Sequence, residues 1–128
     1  MINKGICNIS EKELYQTYKI FFGTLVSKSR LKIINLLRKE EKNVSEIKKE
    51  LKTEQTTISH DLKRLKDCGF VEMNAKGKFR YYKLNKKTIN PLMDIIDNHM
   101  KKNCIHILNR RLKRATPVLN KKYQIKNK

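Results

Sequence analysis

The stretch that most constrains the fold of this chain runs from residue 54 to residue 84. In its first half, apolar residues recur at Ile58, Leu62 and Leu65. This i, i+4, i+7 spacing places the three side chains in one stripe along a helix of about 3.6 residues per turn. The spacing therefore predicts an amphipathic α-helix over Gln55–Asp67, with one face buried and the other face free.

The free face of this helix carries short hydroxyls, an imidazole and cations. Such side chains suit base edges and phosphates, and they let a helix lie deep in the major groove of DNA. The competing interpretation is an ordinary surface helix whose polar face is only solvated. On the DNA-binding interpretation, the base contacts are predicted to come from Gln55, Thr56, Thr57, Ser59 and His60.

A basic hairpin is predicted directly after the helix. Gly69 offers a helix stop, residues 70–73 resume as a strand, residues 74–78 have turn chemistry, and residues 79–84 return as an aromatic-rich strand. Residues 74–93 include no acidic residue, whereas a merely solvated surface usually mixes its charges. Helix, stop and basic hairpin together predict a winged helix. The predicted phosphate contacts are Lys63, Arg64, Lys76, Lys78 and Arg80.

The charge of the chain restricts its partners. With 31 Lys and Arg against 12 Asp and Glu, the 128 residues carry a formal net charge of +19, which a polyanion would neutralise. Double-stranded DNA is the expected polyanion, and an anionic membrane surface is the competitor. The sequence has no run of about 18 apolar residues that could span a membrane, and its start lacks the apolar core of a signal peptide. We therefore expect no membrane partner and a cytoplasmic location.

Three helices are predicted before the helix over Gln55–Asp67. Ser10 followed by Glu13 is a capping box, so a first helix should begin near Glu11. Ser27 can cap a second helix, residues 38–43 are polar and should form a loop, and Ser45 can open a short third helix. A turn beginning at residue 53 or 54 would then complete a helix-turn-helix unit.

A long helix is predicted after the hairpin. Asn90 and Pro91 mark its start, and apolar residues keep returning to one side as far as about Arg114. Some two dozen residues make a helix about 36 Å long, too long for a small domain to cover alone, so we expect it to pack against a second copy together with the first helix. The predicted homodimer interface consists of Leu14, Tyr18, Phe21, Leu92, Ile96, Met100 and Ile107.

These elements predict a mainly α fold with a small β-hairpin, namely a winged helix-turn-helix with long N- and C-terminal dimerisation helices. We expect one domain over residues 1–117, ended by Pro117, and a basic, disordered tail over residues 118–128.

Two stretches of the chain resemble the ArsR/SmtB family of dimeric winged-helix transcriptional repressors. The first is FFGTLVSKSRLKIINLL, and the second is VSEIKKELKTEQTTISHDLKRLKDCGFVEMNAKGKFRYYKL. The resemblance covers roughly residues 20–110. It implies a homodimer that binds an imperfect palindrome at an operator, with two recognition helices in successive major grooves.

The chain departs from this family where many members bind a metal or arsenite. The Cys-x-Cys pair before the third helix corresponds to Asn43 and Ser45, neither of which offers a thiolate. The positions of a second family site correspond to Lys86, Thr88, His99 and Lys102, so only His99 could be a ligand. We therefore expect no metal and no cofactor at the standard sites, and the resemblance leaves the effector open.

Two alternatives to an effector-free repressor remain open. Cys7, His99, Cys104 and His106 could form a non-standard metal or thiol sensor, although the spacing of residues 99 and 106 in an unbroken helix separates them by about 10 Å. The charge also suits an architectural or RNA-binding protein that recognises no sequence. The three cysteines, with Cys68 as the third, are widely spaced and are expected to be free thiols. No phosphate loop or nucleophile motif supports an enzyme.

Overall fold

The computed structural model describes residues 9–115. The chain forms two compact units, one up to Asn85 and one from Lys86 onward, and each is described by itself. The single domain over residues 1–117 stays a prediction. Cys7, Pro117 and the predicted tail over residues 118–128 lie outside the described residues.

The described residues of the first unit form four helices and a three-stranded antiparallel sheet. In the sheet, the strand over residues 79–84 lies between the strands over residues 42–43 and 71–76, and the described residues of the second unit form two further helices. The predicted fold class, a mainly α winged helix-turn-helix, is confirmed. The elements are α1 (Glu11–Val26), α2 (Lys28–Leu37), β1 (Lys42–Asn43), α3 (Val44–Leu51), α4 (Gln55–Asp67), β2 (Val71–Lys76), β3 (Phe79–Leu84), α5 (Ile89–Lys102) and α6 (Cys104–Ala115).

Side-chain caps begin the first two helices, as the sequence predicts. The hydroxyl of Ser10 accepts the Glu13 N–H at 3.1 Å, and the Ser10 N–H donates to the Glu13 carboxylate at 3.0 Å. The Ser10 backbone N–H holds the pKa of Glu13 below its usual value. Ser27 caps α2 by accepting the Arg30 N–H at 3.3 Å. Both caps satisfy donors that a helix leaves unpaired in its first turn.

The predicted loop over residues 38–43 and the predicted cap at Ser45 are wrong in detail. Lys42 and Asn43 form the short strand β1, which pairs with Tyr82 and Tyr81 of β3. The Asn43 side chain accepts the N–H of Glu46 at 2.9 Å, and the carboxylate of Glu46 accepts the Asn43 N–H at 2.9 Å. This reciprocal cap begins α3 two residues earlier than expected.

A turn of three residues, Lys52 to Glu54, joins α3 to α4. Lys52 adopts the left-handed conformation with φ 51°, which ends α3 without a glycine. The two helices and the short turn form the predicted helix-turn-helix unit.

Gly69 ends α4 by a Schellman motif. Its φ is +77°, its N–H donates to Lys66 O at 3.0 Å, and the Phe70 N–H donates to Leu65 O at 2.8 Å. Phe70 is fully buried, so the chain leaves the helix into the core and continues as β2. The predicted helix stop is confirmed.

The hairpin of β2 and β3, which we call the wing, has a tighter turn than predicted. Lys76 pairs with Phe79, so only Gly77 and Lys78 form the turn, and the strands extend into the predicted loop over residues 74–78. Gly77 has φ +62°. A two-residue turn with positive φ at its first position is the type that follows the right-handed twist of hairpin strands.

The predicted single helix after the wing is wrong, because it breaks at Asn103. This residue has φ −125° and ψ −74°, and the chain forms α5 and α6 on either side of it. The Asn103 side-chain amide donates to His99 O at 3.0 Å, the same carbonyl that accepts the Asn103 backbone N–H at 3.1 Å. Short polar side chains that bond the local backbone in this way favour a departure from the helix.

Replacing Gly69 with Ala should destabilise the protein through strain alone. An added Cβ meets no atom within 4 Å, but φ +77° is unfavourable for a residue with a Cβ, by about 1 kcal/mol. Gly23→Ala is the matched control, since Gly23 is helical, also has open space, and should gain up to about 1 kcal/mol. Urea unfolding midpoints that move in the same direction for both variants would contradict this account of the α4 terminus.

Candidate nucleic-acid interface

The exposed face of α4 contains all five residues predicted to contact bases. The opposite face is fixed by Ile58, Leu62 and Leu65, which are 0%, 1% and 0% exposed. Because these three anchor the helix in the core, the remaining polar side chains point away from it. The structure brings together on this surface Gln55, Thr56, Thr57, Ser59 and His60.

Four of the five predicted phosphate-binding cations have partners within the protein. The ammonium of Lys63 lies 3.0 Å from the carboxylate of Asp67, and the Arg64 guanidinium donates to the hydroxyl of Thr24 at 3.1 Å. The other two paired cations are on the wing. Lys76 is bound by Glu41, and the ammonium of Lys78 lies 5.9 Å from the centroid of the Phe79 ring. All five cations are exposed, the fifth being Arg80.

Two surface cavities lie next to these cations. The first, about 290 Å³, is beside α4, and its lining combines basic groups with two carboxylates. The second, about 360 Å³, lies between the start of α3 and the wing. Concave basic surfaces concentrate anions. The first is lined by Arg30, His60, Asp61, Lys63, Arg64 and Asp67, and the second by Asn43, Val44, Ser45, Lys78, Phe79 and Arg80.

Asp61 is a functional candidate that the predicted site residues do not include. It is 7% exposed, the hydroxyl of Ser29 donates to it at 2.6 Å, and the guanidinium of Arg30 lies 3.4 Å from its other oxygen. The sequence contains a pattern that predicts its burial, because residue 61 stands three residues after Ile58 and next to Leu62, on the buried side of the helix. A carboxylate at such a position needs partners from a neighbouring element.

Lys42 is a basic residue that is unavailable to a polyanion. It is 7% exposed, and its ammonium lies 3.1 Å from the carboxylates of both Glu40 and Glu50. Hydrogen bonds to Glu40 and Glu50 raise the pKa of Lys42. The count of 31 Lys and Arg therefore overstates the number of cations that are free to meet DNA.

The predicted dimer-interface residues of α1 differ in exposure. Leu14 is buried within one chain, Tyr18 is 45% exposed, and Phe21 is half-buried with its ring centroid 5.2 Å from that of Phe70. The same helix exposes further large side chains, including Phe22 at 57%. Among the predicted interface residues of the second unit, Ile107 is exposed, and the other three, Leu92, Ile96 and Met100, are half-buried.

The two residues that correspond to the Cys-x-Cys pair do not fit a thiolate metal site. Asn43 uses its amide oxygen to cap α3, and Ser45 offers only a hydroxyl. Within residues 9–115, no group of three or more His, Cys, Asp or Glu side chains could hold a metal ion.

Cys68 and Cys104 are free thiols, and the Cys68 sulfur lies 3.3 Å from the hydroxyl of Thr24. None of the helices over residues 9–115 is long and apolar enough to cross a bilayer.

A helix-turn-helix whose second helix presents a polar face, followed by a basic hairpin, defines a winged-helix DNA-binding protein. Residues 27–73 match the model of the arsR family of bacterial regulatory proteins. This part of the chain is therefore similar to the domain of a family of bacterial regulatory proteins. The resemblance found in the sequence is confirmed.

Known proteins of this kind cover most of the described chain. The arsenical resistance operon repressor of Bacillus subtilis is 28% identical over 85 residues, which are 66% of this chain and 81% of the relative. A homodimeric winged helix-turn-helix domain of a possible ArsR-family regulator from Mycobacterium bovis has a TM-score of 0.68 at 24% identity, covering 79% of this chain and 95% of that one. NolR of Sinorhizobium fredii has a TM-score of 0.62 at 20% identity, and the match covers 77% of this chain and 97% of NolR.

Glu41→Gln should strengthen binding to any DNA duplex, because Glu41 competes with phosphate for Lys76. Hydrogen bonding to Glu41 raises the pKa of Lys76. A lysine stays cationic at neutral pH without such a partner, so the released ammonium can contact the backbone. Exposed ion pairs are weak, so the gain should be roughly two- to fivefold at low salt. The control is Glu40→Gln, which removes the same charge next to a buried lysine. Equal affinities of the two variants, measured by fluorescence anisotropy, would show that Lys76 does not reach phosphate.

Proposed function

We propose that the protein is a homodimeric transcriptional repressor that acts in the cytoplasm and binds double-stranded DNA at an inverted-repeat operator. The observation that carries this proposal is the exposed face of α4, where polar side chains stand opposite a fully buried apolar stripe. In a helix-turn-helix protein, the second helix is the one that enters the major groove.

Base recognition is assigned to the N-terminal half of α4. Gln55 can make a pair of hydrogen bonds to adenine, and the hydroxyls of Thr56 and Ser59 can bond several base edges. Thr57 and His60 complete the group, and all five side chains are exposed. A binder that used charge alone would have no need for this neutral centre on its recognition face.

Phosphate contacts are assigned to the C-terminal half of α4 and to the wing. They fix the register of the protein on the duplex and supply the salt-dependent part of the affinity. On α4, the contacts come from Lys63 and Arg64, and on the wing from Lys76, Lys78 and Arg80. Lys63 and Lys76 must exchange a carboxylate for a phosphate on binding, since each is paired in the free protein.

The homodimer is supported by large side chains that one chain leaves uncovered. On α1, Tyr15, Tyr18 and Phe22 are 60%, 45% and 57% exposed, and on α6, Ile107 is 44% exposed. The Mycobacterium bovis domain with this fold is homodimeric. Two copies would present two α4 helices, which explains an operator with two related half-sites. Of the predicted interface residues, Leu14 is already buried within one chain, so the proposed interface is Tyr18, Phe21, Leu92, Ile96, Met100 and Ile107.

The repressor role is supported by the Bacillus subtilis relative, which is a repressor of an arsenical resistance operon. The proposal does not extend to arsenical as the effector. Asn43 and Ser45 supply no thiolate where the resemblance implies a Cys-x-Cys pair, so binding of DNA needs no metal or cofactor in this scheme.

Alanine at Thr56 and Ser59 should relax sequence preference. The test uses a duplex enriched from a random pool by the wild-type protein, and variants of it with single base changes. Each lost base contact should reduce discrimination by roughly 1 to 3 kcal/mol, while binding to unrelated DNA stays unchanged.

Lys78→Ala is the matched variant for this experiment, since it removes a predicted phosphate contact rather than a base contact. It should weaken all duplexes alike and reduce the slope of log affinity against log salt by about one unit. If the Thr56 and Ser59 variant kept the full discrimination of the wild type, α4 would not be the element that recognises bases.

A further inference from the structure

A polar network joins α4 to α1 and α2. Its centre is Asp61, which accepts hydrogen bonds from Ser29 at 2.6 Å and from Arg30 at 3.4 Å, one on each carboxylate oxygen. The same Arg30 side chain donates to Thr24 O at 2.8 Å and to Gly23 O at 3.2 Å. One guanidinium therefore connects the last turn of α1 with the middle of α4.

A second contact closes the network one turn further along α4. The Arg64 guanidinium donates at 3.1 Å to the hydroxyl of Thr24, a residue that is 0% exposed. Thr24 therefore accepts hydrogen bonds from both helices: its carbonyl accepts one from Arg30 of α2, and its hydroxyl accepts one from Arg64 of α4. The two attachments, at residues 61 and 64, lie on neighbouring turns and resist rotation of α4 about its axis better than one attachment could.

Stability alone does not account for a carboxylate at this position. In α4, which the structure describes in full, Asp61 is the only ionisable residue that is buried. Burying a carboxylate costs free energy, and apolar side chains of similar volume often stabilise a fold as well or better. Unlike an apolar contact, however, hydrogen bonds to both oxygens require one orientation of the helix.

We propose that Asp61 is a positioning residue that sets the rotation of α4, so that the residues on its exposed face meet the base edges. This inference rests on the proposed function, because it deepens the role of the same site. His60 precedes Asp61 directly, and Thr57 lies one turn before it. A rotation of about 20° moves an atom roughly 6 Å from the helix axis by about 2 Å, which is enough to break a hydrogen bond to a base.

The test compares Asp61→Asn with Asp67→Asn, two variants that remove the same charge from the same helix. Asp67 is exposed and pairs only with Lys63 among the contacts described for α4. If charge alone matters, both variants should bind every duplex more tightly, because each removes a repulsion from phosphate. If Asp61 positions α4, Asp61→Asn should instead lose affinity for the duplex that the wild-type protein enriches from a random pool, by about tenfold or more. Its affinity for a shuffled duplex of the same length should not fall.

The ratio of these two affinities separates positioning from general stability, since a merely destabilised protein loses both in proportion. Should Asp61→Asn fail to fold, Ser29→Ala decides, because it removes one of the two hydrogen bonds to Asp61, together with the contact between the Ser27 and Ser29 hydroxyls. It should lower the same ratio severalfold with a normal thermal transition. The proposal is overturned if Asp61→Asn changes the two affinities in the same way as Asp67→Asn. It is also overturned if the ratio of affinities in either Asp61→Asn or Ser29→Ala equals that of the wild type. A wild-type protein that enriches no sequence overturns the proposed function instead, so the two failures are distinguishable.

Discussion

The burial of Ile58, Leu62 and Leu65 determines how α4 can be used. These side chains are almost completely removed from solvent, and full burial of such a residue contributes about 1.5 to 3 kcal/mol. Because they lie in one stripe, the helix has a single low-energy face toward the core and a single face toward solvent. Gly69 then ends the helix and sends Phe70 into the same core, so the wing must start at the end of α4.

The cations of the chain divide into those that stabilise the fold and those that remain for DNA. Lys42 is buried between Glu40 and Glu50, and Arg30 is bound to backbone carbonyls and to Asp61. Lys63 and Lys76 have carboxylate partners but are exposed, so phosphate can replace these partners at little cost. The exposed surface of α4 and the wing therefore keeps its positive potential even though several charges are internally paired.

Local patterns in the sequence predicted most of the first unit. Apolar spacing gave the bounds of α4, the Ser10 capping box gave the start of α1, and Gly69 gave the end of α4, because each depends on residues within one or two turns. The predicted loop over residues 74–78 contains the turn at Gly77 and Lys78, but the strands extend into the rest of that loop.

The features that were missed depend on contacts across the fold or on a competition between local bonds. The strand at Lys42 and Asn43 exists because β3 pairs with it, and two residues carry no strand pattern of their own. The break at Asn103 results from a side chain that competes for a helical carbonyl, which apolar periodicity does not reveal. Asp61 had a position in the buried stripe, but its partner Ser29 stands 32 residues earlier in the chain. The five assigned base contacts remain predictions.

The central claim is that α4 recognises a DNA sequence in the context of a homodimer. Selection of bound sequences from a pool of random duplexes, at about 0.15 M salt where exposed charges are screened beyond about 8 Å, tests it most directly. The account predicts enrichment of an inverted repeat whose half-sites are about one helical turn apart. Binding without any enriched motif would contradict it and would instead favour a protein that uses its basic surface on nucleic acid of any sequence.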